Sequence, residues 1–245
     1  MTEDGYFDER VARRYDESGG PEFEAETIRA TVDFLAALAG NGRALELAIG
    51  TGRIAVPLAA RGVEVHGIDM SRAMVKRLRA KPGAKAIGAT IGDFSTTRVE
   101  GRFSLAYLVF NTIMNVTTQA AQVATFRNAS AHLEPGGHFV VEVGMPDLQR
   151  LPPGSKYVPF NVEPTHLGFD EYDVANQGLM SHHFNVNGRN VEQVSIPFRY
   201  VWPAELDLMA ELAGMRLRER WEDWNREPFT SQSLKHVSVW EKVPA

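Results

Sequence analysis

The sequence predicts an α/β fold, in which a doubly wound, seven-stranded, mostly parallel sheet carries an antiparallel β-hairpin inserted after the fifth strand. Segments with strand and helix periodicity alternate over the first 145 residues, and such alternation is typical of parallel strands joined by right-handed helical crossovers. Beyond Met145 the pattern changes to a stretch rich in proline and glycine, two alternating segments, one helix and two strands. A length of 245 residues suits one large domain, so we treat residues 1–245 as a single unit.

The N-terminal part, residues 1–40, and the core, residues 41–145, contain the regular alternation. Apolar residues at helical spacing predict a helix from Glu22 to Leu38, which Gly40 ends. Ser71 is a suitable N-cap for a helix that stops before Pro82. The predicted core strands cover residues 44–49, 63–68, 86–91, 103–110 and 139–143, and the helices between them follow Gly52 or cover residues 71–79 and 118–133.

Residues 146–200 form the predicted insertion. The first part, Pro146–Pro164, is rich in proline and glycine and predicts a loop. Asn187-Gly188 lies between two alternating segments, which predicts a hairpin over Gly178–Tyr200. Residues 201–245 supply a helix that begins at Pro203 and two last strands, over residues 214–221 and 236–242.

Composition excludes several classes of function. The chain has no cysteine, which rules out disulfides, thiolate metal sites, iron–sulfur clusters and cysteine nucleophiles. A net charge of −5 without a basic run argues against a nucleic-acid partner. The acidic N-terminus lacks the apolar segment of a signal peptide, and no window approaches the ~18 apolar residues of a membrane span. We therefore expect a cytoplasmic protein without a membrane partner.

The glycine-rich turn after the first strand allows two interpretations. Gly50-Thr-Gly52-Arg-Ile-Ala55, with Asp69 near the expected offset, fits a relaxed dinucleotide fingerprint and predicts an NAD(P)-dependent oxidoreductase. Glu46 favours a different ligand, because an acid at this strand end opposes a pyrophosphate and attracts a positive amino group. S-adenosylmethionine carries an ammonium, a sulfonium, a ribose and an adenine, and no phosphate. The arrangement therefore favours S-adenosylmethionine.

The next strand ends carry side chains that suit the same ligand. Asp69 can accept hydrogen bonds from both ribose hydroxyls, and Met70 can lie against the adenine ring. Asp93 can accept from the adenine amine, with Phe94 stacking nearby. Phe110-Asn111-Thr112 ends the fourth strand and would face the methyl group and the substrate. Open parallel sheets bind ligands at these carboxyl ends.

With these residues in place, the chain resembles the class I S-adenosylmethionine-dependent methyltransferases. The matching segments keep the family's order and spacing over residues 10 to 145: Arg14-Tyr15-Asp16, Glu46-Leu-Ala-Ile-Gly-Thr-Gly52, Gly67-Ile-Asp69-Met-Ser71, Gly92-Asp93-Phe94 and Leu133-Glu-Pro-Gly-Gly137. The tail is similar to that of a small-molecule subgroup that includes the aminosugar N-methyltransferases of antibiotic biosynthesis.

This resemblance implies a Rossmann-like sheet and a set of cofactor contacts. Tyr15 would reach S-adenosylmethionine from an N-terminal lid, and Ala48 stands where the family more often has a glycine. The expected cofactor-binding residues are Tyr15, Glu46, Ala48, Gly50, Gly52, Arg53, Asp69, Met70, Asp93, Phe94 and Phe110.

The sequence offers no unambiguous general base and predicts no metal site. His182 and His183 are weak candidates for a base; as neighbours in a strand they point to opposite faces and cannot hold one metal ion together. Asn111, Trp224 and Arg226 are candidates for substrate contacts, although the loop around Trp224 equally fits a hydrophobic plug.

The predicted activity is transfer of the S-adenosylmethionine methyl group to an oxygen or nitrogen atom of a small molecule by direct in-line displacement. The lack of a clear base favours amines or acidic hydroxyls. The alternatives are the NAD(P)-dependent oxidoreductase and a methyltransferase that acts on a macromolecule. The inserted hairpin either caps the pocket or forms a homodimer.

Overall fold

The structure is a computed structural model that describes residues 6–17 and 19–244. The start of the acidic N-terminus, residues 1–5, and residues 18 and 245 lie outside the described part. The helices are α1 (Glu9–Arg14), α2 (Ala25–Ala39), α3 (Ala55–Ala60), α4 (Arg72–Ala80), α5 (Gln119–His132) and α6 (Pro203–Leu212). The strands are β1 (Ala44–Leu47), β2 (Val65–Asp69), β3 (Gly88–Ile91), β4 (Phe103–Leu108), β5 (Leu133–Gly144), β6 (Tyr157–Glu163), β7 (His166–Asp173), β8 (Gly178–Asn187), β9 (Asn190–Arg199), β10 (Met215–Trp221) and β11 (Lys235–Lys242).

Seven strands form the predicted sheet, in the order β10-β11-β5-β4-β1-β2-β3. β1 lies between β4 and β2, where Ala44 pairs with Val65 of β2 and with Leu105 of β4, both in parallel. β11 pairs antiparallel with β5 and with β10. The order reverses between β1 and β4, so the chain segments that follow these two strands leave toward opposite faces of the sheet and a crevice forms between them.

Helices cover both faces of this sheet. One face packs on α2, α3 and α4 through apolar side chains that include Leu35, Leu58 and Leu78, and the other packs on α5 and α6 through Phe126 and Leu206. All four residues of β1 are buried, as a central parallel strand requires. No helix of the described residues is both long and apolar enough to cross a membrane.

The insertion is larger than the predicted hairpin. β8 and β9 form that hairpin, but its two-residue turn is Gly188-Arg189, one position later than expected, because Asn187 pairs with Asn190. β6 and β7 extend it to a separate four-stranded antiparallel sheet, here called the inserted sheet. β6 lies within the segment predicted as a loop. Its Pro159 sits on an edge strand beside a bulge, where the missing N–H costs no ladder hydrogen bond.

A buried cluster of ion-paired and hydrogen-bonded side chains connects the inserted sheet to α5 and α6 of the core. Arg199, at the end of β9, forms an ion pair with Glu205 of α6 at 2.7 Å and also donates to Gln122 of α5. Gln177, just before β8, donates to Glu205 at 2.8 Å. The side chains of Arg199 and Glu205 are only 8% and 15% exposed, so each charge depends on the other for compensation.

We expect Arg199→Met to lower the free energy of unfolding by about 3 kcal/mol, because it leaves the Glu205 carboxylate buried without its cation. Urea unfolding measures this loss. Arg199→Met with Glu205→Leu should recover most of it. Arg216→Met is the control, since its pair with Glu241 spans 3.5 Å at the surface, and it should change stability by less than about 0.5 kcal/mol. An equal effect of Arg199→Met and the control would contradict the expectation.

Candidate functional site

A cavity of about 310 Å³ opens at the carboxyl ends of the parallel strands, and we call it the nucleoside cavity. Seven of the predicted cofactor-binding residues line it: Tyr15, Ala48, Gly50, Asp69, Met70, Asp93 and Phe94. Other lining residues had not been predicted, namely Phe7, Met74, Ser95, Asn115, Val116, Thr117, Thr118 and Ala121. They come from the N-terminal segment, α4, the loop after β3 and the segment that leads from β4 into α5, which only the fold brings to this edge.

The turn after β1 forms the floor of the nucleoside cavity. Ala48, Gly50 and Gly52 all have left-handed backbones, with φ of 59°, 56° and 78°. For Ala48 this conformation costs about 1 kcal/mol relative to glycine. Gly52 does not line the nucleoside cavity. It packs against α4 instead, since a Cβ at this position would lie 2.3 Å from Leu78 Cδ1. Gly52 therefore allows α4 to pack on the turn, whereas the dinucleotide alternative needs that space for a pyrophosphate.

Asp69 connects this turn with the end of β2. Its two carboxylate oxygens accept hydrogen bonds from the Gly50 amide at 2.7 Å and from the Ser71 amide at 2.8 Å. Ser71 in turn caps α4, as predicted, by accepting from the Met74 amide at 3.1 Å. A carboxylate fixed in this way on the cavity wall suits a pair of neighbouring hydroxyls such as those of a ribose.

A smaller space of about 30 Å³ continues from the nucleoside cavity toward Glu46 and is lined by Tyr15, Arg53 and Phe110 as well. The Tyr107 hydroxyl donates to the buried Glu46 carboxylate at 2.9 Å. Burial raises the pKa of Glu46 to about 8, against the opposing effects of the Tyr107 hydrogen bond and the Arg53 charge. A positively charged group in this space would favour the ionised carboxylate, so Glu46 fits the ammonium of S-adenosylmethionine.

Arg53 and the rings of Tyr15 and Phe110 line this smaller space, and the Phe23 ring packs against all three side chains. The guanidinium carbon of Arg53 lies 5.2 Å from the ring centroids of both Phe23 and Phe110, and its Nη1 donates to the Glu22 carbonyl at 2.6 Å. Phe23 contacts Tyr15 edge to face, with 5.6 Å between ring centroids. The structure thus brings three of the predicted cofactor-binding residues, Tyr15, Arg53 and Phe110, to one edge of the sheet.

The N-terminal segment lies over the same edge. Asp16 accepts a hydrogen bond from the Thr51 hydroxyl at 2.6 Å and forms an ion pair with Lys81 at 2.8 Å. The Ser71 hydroxyl donates to the Phe7 carbonyl at 2.5 Å. These bonds join residues before α2 to the glycine turn and to the start of α4. The N-terminal segment thereby covers the nucleoside cavity, which Phe7 and Tyr15 line.

The chain after β4 is strained. Phe110 and Asn111 are successive left-handed residues, each with φ of 57°. The Phe110 amide donates to Glu142 Oε2 at 3.0 Å, and Asn111 Oδ1 accepts from the Gly144 amide at 2.6 Å. Two hydrogen bonds to β5 therefore hold a conformation that non-glycine residues avoid, and such strain is concentrated at functional sites.

A second cavity, of about 290 Å³, lies between this strained segment and the inserted sheet, and we call it the insert cavity. Its lining residues are Asn111, Met114, Gly144, Met145, Pro146, Asp147, Asp170, Tyr172, Leu179, Ser181, Phe198 and Tyr200. The short 3₁₀ turn Thr112–Asn115 separates it from the nucleoside cavity, since Thr112 and Asn115 face one cavity and Met114 faces the other. Of the predicted substrate residues, Asn111 lines the insert cavity.

Trp224 and Arg226 lie elsewhere than expected. The Trp224 ring packs edge to face on the ring of Phe34 in α2, with 5.4 Å between ring centroids. The guanidinium carbon of Arg226 lies 4.9 Å from the centroid of the Phe34 ring. Neither lines the nucleoside cavity or the insert cavity. This matches the hydrophobic plug that the loop also fitted. Trp224 instead donates from its indole nitrogen to Glu142 Oε1 at 2.9 Å, and so helps to position the carboxylate that holds Phe110.

His182 and His183 point to opposite faces of the inserted sheet. His182 contacts the Ser195 hydroxyl at 2.8 Å and Glu171 at 3.4 Å, whereas His183 contacts His166 at 3.1 Å and Ser181 at 3.3 Å. Neither histidine lines either cavity. Within the described residues, no group of three or more histidine, aspartate or glutamate side chains could hold a metal ion.

The raised pKa of Glu46 makes stability depend on pH. Between about pH 4.5 and 8 the folded ligand-free protein retains a proton that the unfolded chain has released, so its free energy of unfolding falls as pH rises. We expect Glu46→Gln to remove this contribution. Its stability relative to the original chain should increase by up to about 1.4 kcal/mol between pH 6.5 and 7.5 in urea unfolding.

Glu64→Gln is the matched control, because the Glu64 side chain is 64% exposed beside Arg43. Its stability relative to the original chain should not change across this pH interval. If Glu46→Gln and Glu64→Gln behave alike, the carboxyl of Glu46 is ionised in the folded protein and the inferred burial effect is wrong.

Comparisons with known proteins agree with this geometry. A family model described as "Methyltransferase domain" matches residues 44–137. The CcbJ methyltransferase from Streptomyces caelestis is 37% identical, with 96% of both chains covered and a TM-score of 0.85. The cypemycin N-terminal methyltransferase from Streptomyces sp is 26% identical over 81% of this chain and 82% of the relative.

A more distant structure shares the fold. CalS10, an amino pentose methyltransferase from Micromonospora echinaspora solved with S-adenosylmethionine bound, is 18% identical, with 99% of this chain and 100% of that chain covered and a TM-score of 0.70. The predicted fold and cofactor are confirmed, and the dinucleotide alternative is set aside. The chain belongs to the class I S-adenosylmethionine-dependent methyltransferases.

Proposed function

We propose that this enzyme methylates a nitrogen atom of a small molecule. The observation that carries the proposal is the position of the strained residues Phe110 and Asn111 between a cavity suited to a nucleoside and a second cavity of small-molecule size. S-adenosylmethionine supplies a methyl group on a cationic sulfur, which a lone pair of the acceptor displaces in line. The protein binds both partners, aligns them and excludes water.

We assign the donor contacts by chemistry. Asp69 binds the ribose hydroxyls, Met70 and Phe94 lie against the adenine, and Asp93 accepts from its amine. Asp93 is already oriented, because one carboxylate oxygen accepts from the Ser95 amide at 2.8 Å. At the amino-acid end, Glu46 binds the ammonium, while Tyr15, Arg53 and Phe110 enclose it together with the backbone of Ala48 and Gly50.

The acceptor enters the insert cavity. Its walls are aromatic on the side of the inserted sheet, with Tyr172, Phe198 and Tyr200, and they carry two carboxylates, Asp147 and Asp170. Apolar walls with a few acidic groups suit a sugar ring or a single amino-acid residue that bears a basic nitrogen. Two relatives point the same way, since one is an amino pentose methyltransferase and another methylates the N-terminus of cypemycin.

A peptide N-terminus is therefore the second candidate acceptor, and an acidic hydroxyl is the third. Nucleic acid is not proposed, because two carboxylates in the cavity would repel phosphates. We also retain as proposals that the enzyme works in the cytoplasm and that the inserted sheet pairs two copies. Exposed apolar residues on that sheet support such pairing: Tyr157, Phe160, Val162, Leu167 and Val191.

Calorimetric titration with S-adenosylhomocysteine tests the donor site. We expect micromolar binding to the original chain and at least about 100-fold weaker binding to Asp69→Ala, which loses the ribose contacts and the Gly50 anchor. Asp33→Ala, an exposed acid paired with Arg61, should bind like the original chain. NADH should give no heat. Equal binding to Asp69→Ala and Asp33→Ala would refute the assignment of Asp69.

A panel of acceptors tests the class of substrate. We expect mass spectrometry to show methyl transfer to a methyl glycoside of a 4-aminopentose or to alanine amide, which mimics a peptide N-terminus. The matching pentoside, with a hydroxyl in place of the amine, is the control and should remain unmodified. Methylation of the hydroxyl compound alone would contradict the choice of nitrogen.

A further inference from the structure

A row of polar side chains runs along the face of the inserted sheet that looks into the insert cavity. Asp170 of β7 pairs in register with Ser181 of β8, so their side chains lie next to each other on this face. Ser181 Oγ lies 3.3 Å from His183 Nε2, and His183 Nδ1 lies 3.1 Å from His166 Nε2. The row therefore places Asp170 beside a hydrogen-bonded series of Ser181, His183 and His166.

The two ends of the row lie in different surroundings. Asp170 and Ser181 line the insert cavity, and Ser181 is buried. His166 and His183 lie outside the cavity lining with nearly parallel ring planes and 5.3 Å between ring centroids, and both are partly exposed. His183 faces Gly168 in the strand pairing, and the Phe160 ring fills the space that a side chain at Gly168 would need and packs against both imidazoles.

An amine acceptor needs such a path. In water a basic amine is mainly an ammonium, which has no lone pair, so one proton must leave the nitrogen before it can attack a methyl group. Neither the sulfonium nor the apolar wall of the cavity can take that proton. The enclosed site thus requires a group that receives the proton and a route by which it reaches solvent.

We propose that Asp170 removes this proton and that Ser181, His183 and His166 conduct it to solvent, an inference that rests on the proposed N-methylation. The acceptor N–H bond breaks and an O–H bond forms on Asp170. A proton then moves from Asp170 to Ser181, from Ser181 to His183 Nε2, from His183 Nδ1 to His166 Nε2, and from His166 to water. One proton enters the row and one leaves it, so each member returns to its starting charge.

The electrostatics of the row suit this role. Burial raises the pKa of the Asp170 carboxyl, and Asp147 across the cavity adds to the rise, while His182 of β8 opposes it. Tyr172 faces the same cavity from β7. Burial also lowers the pKa of His183, with contributions from His166 and His182, which favours the neutral imidazole that a relay requires.

The kinetic test uses the amine of the panel that the original chain methylates fastest, and compares Asp170→Asn, Ser181→Ala and His183→Gln. At pH 7 we expect kcat to fall about 100-fold in Asp170→Asn and about tenfold in the other two, with unchanged affinity for S-adenosylhomocysteine. Above the pKa of the amine the substrate arrives neutral, so all three variants should regain most of the original rate. A loss that persists at high pH, or no loss at pH 7, overturns the proposal.

Ser195→Ala is the matched control, because Ser195 lies on the opposite face of the same sheet, where its hydroxyl contacts His182. It should retain the original rate and pH profile. A loss in Ser195→Ala equal to that in His183→Gln would show a general effect on the inserted sheet and would also overturn the proposal.

Nitrogen-15 spectra of the imidazoles test the row without turnover. Asp170→Asn and Ser181→Ala should each change the tautomer populations of His183 and His166 and leave those of His182 unchanged. Unchanged spectra of His183 would show that the row is not connected. If the original chain methylates no amine while the spectra respond as expected, the proposed acceptor class fails and the connected row stands.

Discussion

The carboxylate of Asp69 holds together the two turns on which the donor site depends. It binds the amide of Gly50 in the turn after β1 and the amide of Ser71 at the start of α4, so one side chain sets the distance between neighbouring strand ends. Gly52 lets Leu78 of α4 pack against the first turn, and this packing also holds α4 in position relative to that turn. The floor of the nucleoside cavity is thus rigid before any ligand arrives, and a preformed site loses little conformational entropy on binding.

Strain at the end of β4 is tied to residues far along the chain. Phe110 and Asn111 keep left-handed backbones because Glu142 and Gly144 of β5 hold them, and Trp224 holds the other oxygen of Glu142. The loop around Trp224 therefore contributes to the site without touching either cavity. The buried Glu46 lines the same small space as Phe110, where a cationic ligand would offset the unfavourable burial of its charge.

The sequence was sufficient to predict the core, because strands such as Ala44–Leu47 are short buried runs that lead directly into a glycine turn and carry an acid, here Glu46, near their end. It was insufficient for β6 and β7. Pro159 and the bulge beside it interrupt the alternation on which strand prediction depends, and Phe160 with Val162 leaves β6 apolar on exposed positions. The insert cavity could not be found from the sequence, since residues as distant as Asn111 and Tyr200 meet only after the inserted sheet folds over β4. The direction of Trp224 likewise depends on its docking against Phe34.

The inserted sheet joins the core through only two chain segments, one after Gly144 and one before Pro203. Its strands pair among themselves and share no ladder with the seven-stranded sheet, so its inner face can change residue by residue while the donor side stays as it is. Recognition of the acceptor is thereby separated from activation of the methyl group. An exchange of residues 157–199 between relatives, with the contacts of Arg199 retained, is the direct route by which evolution or an engineer can retarget this enzyme.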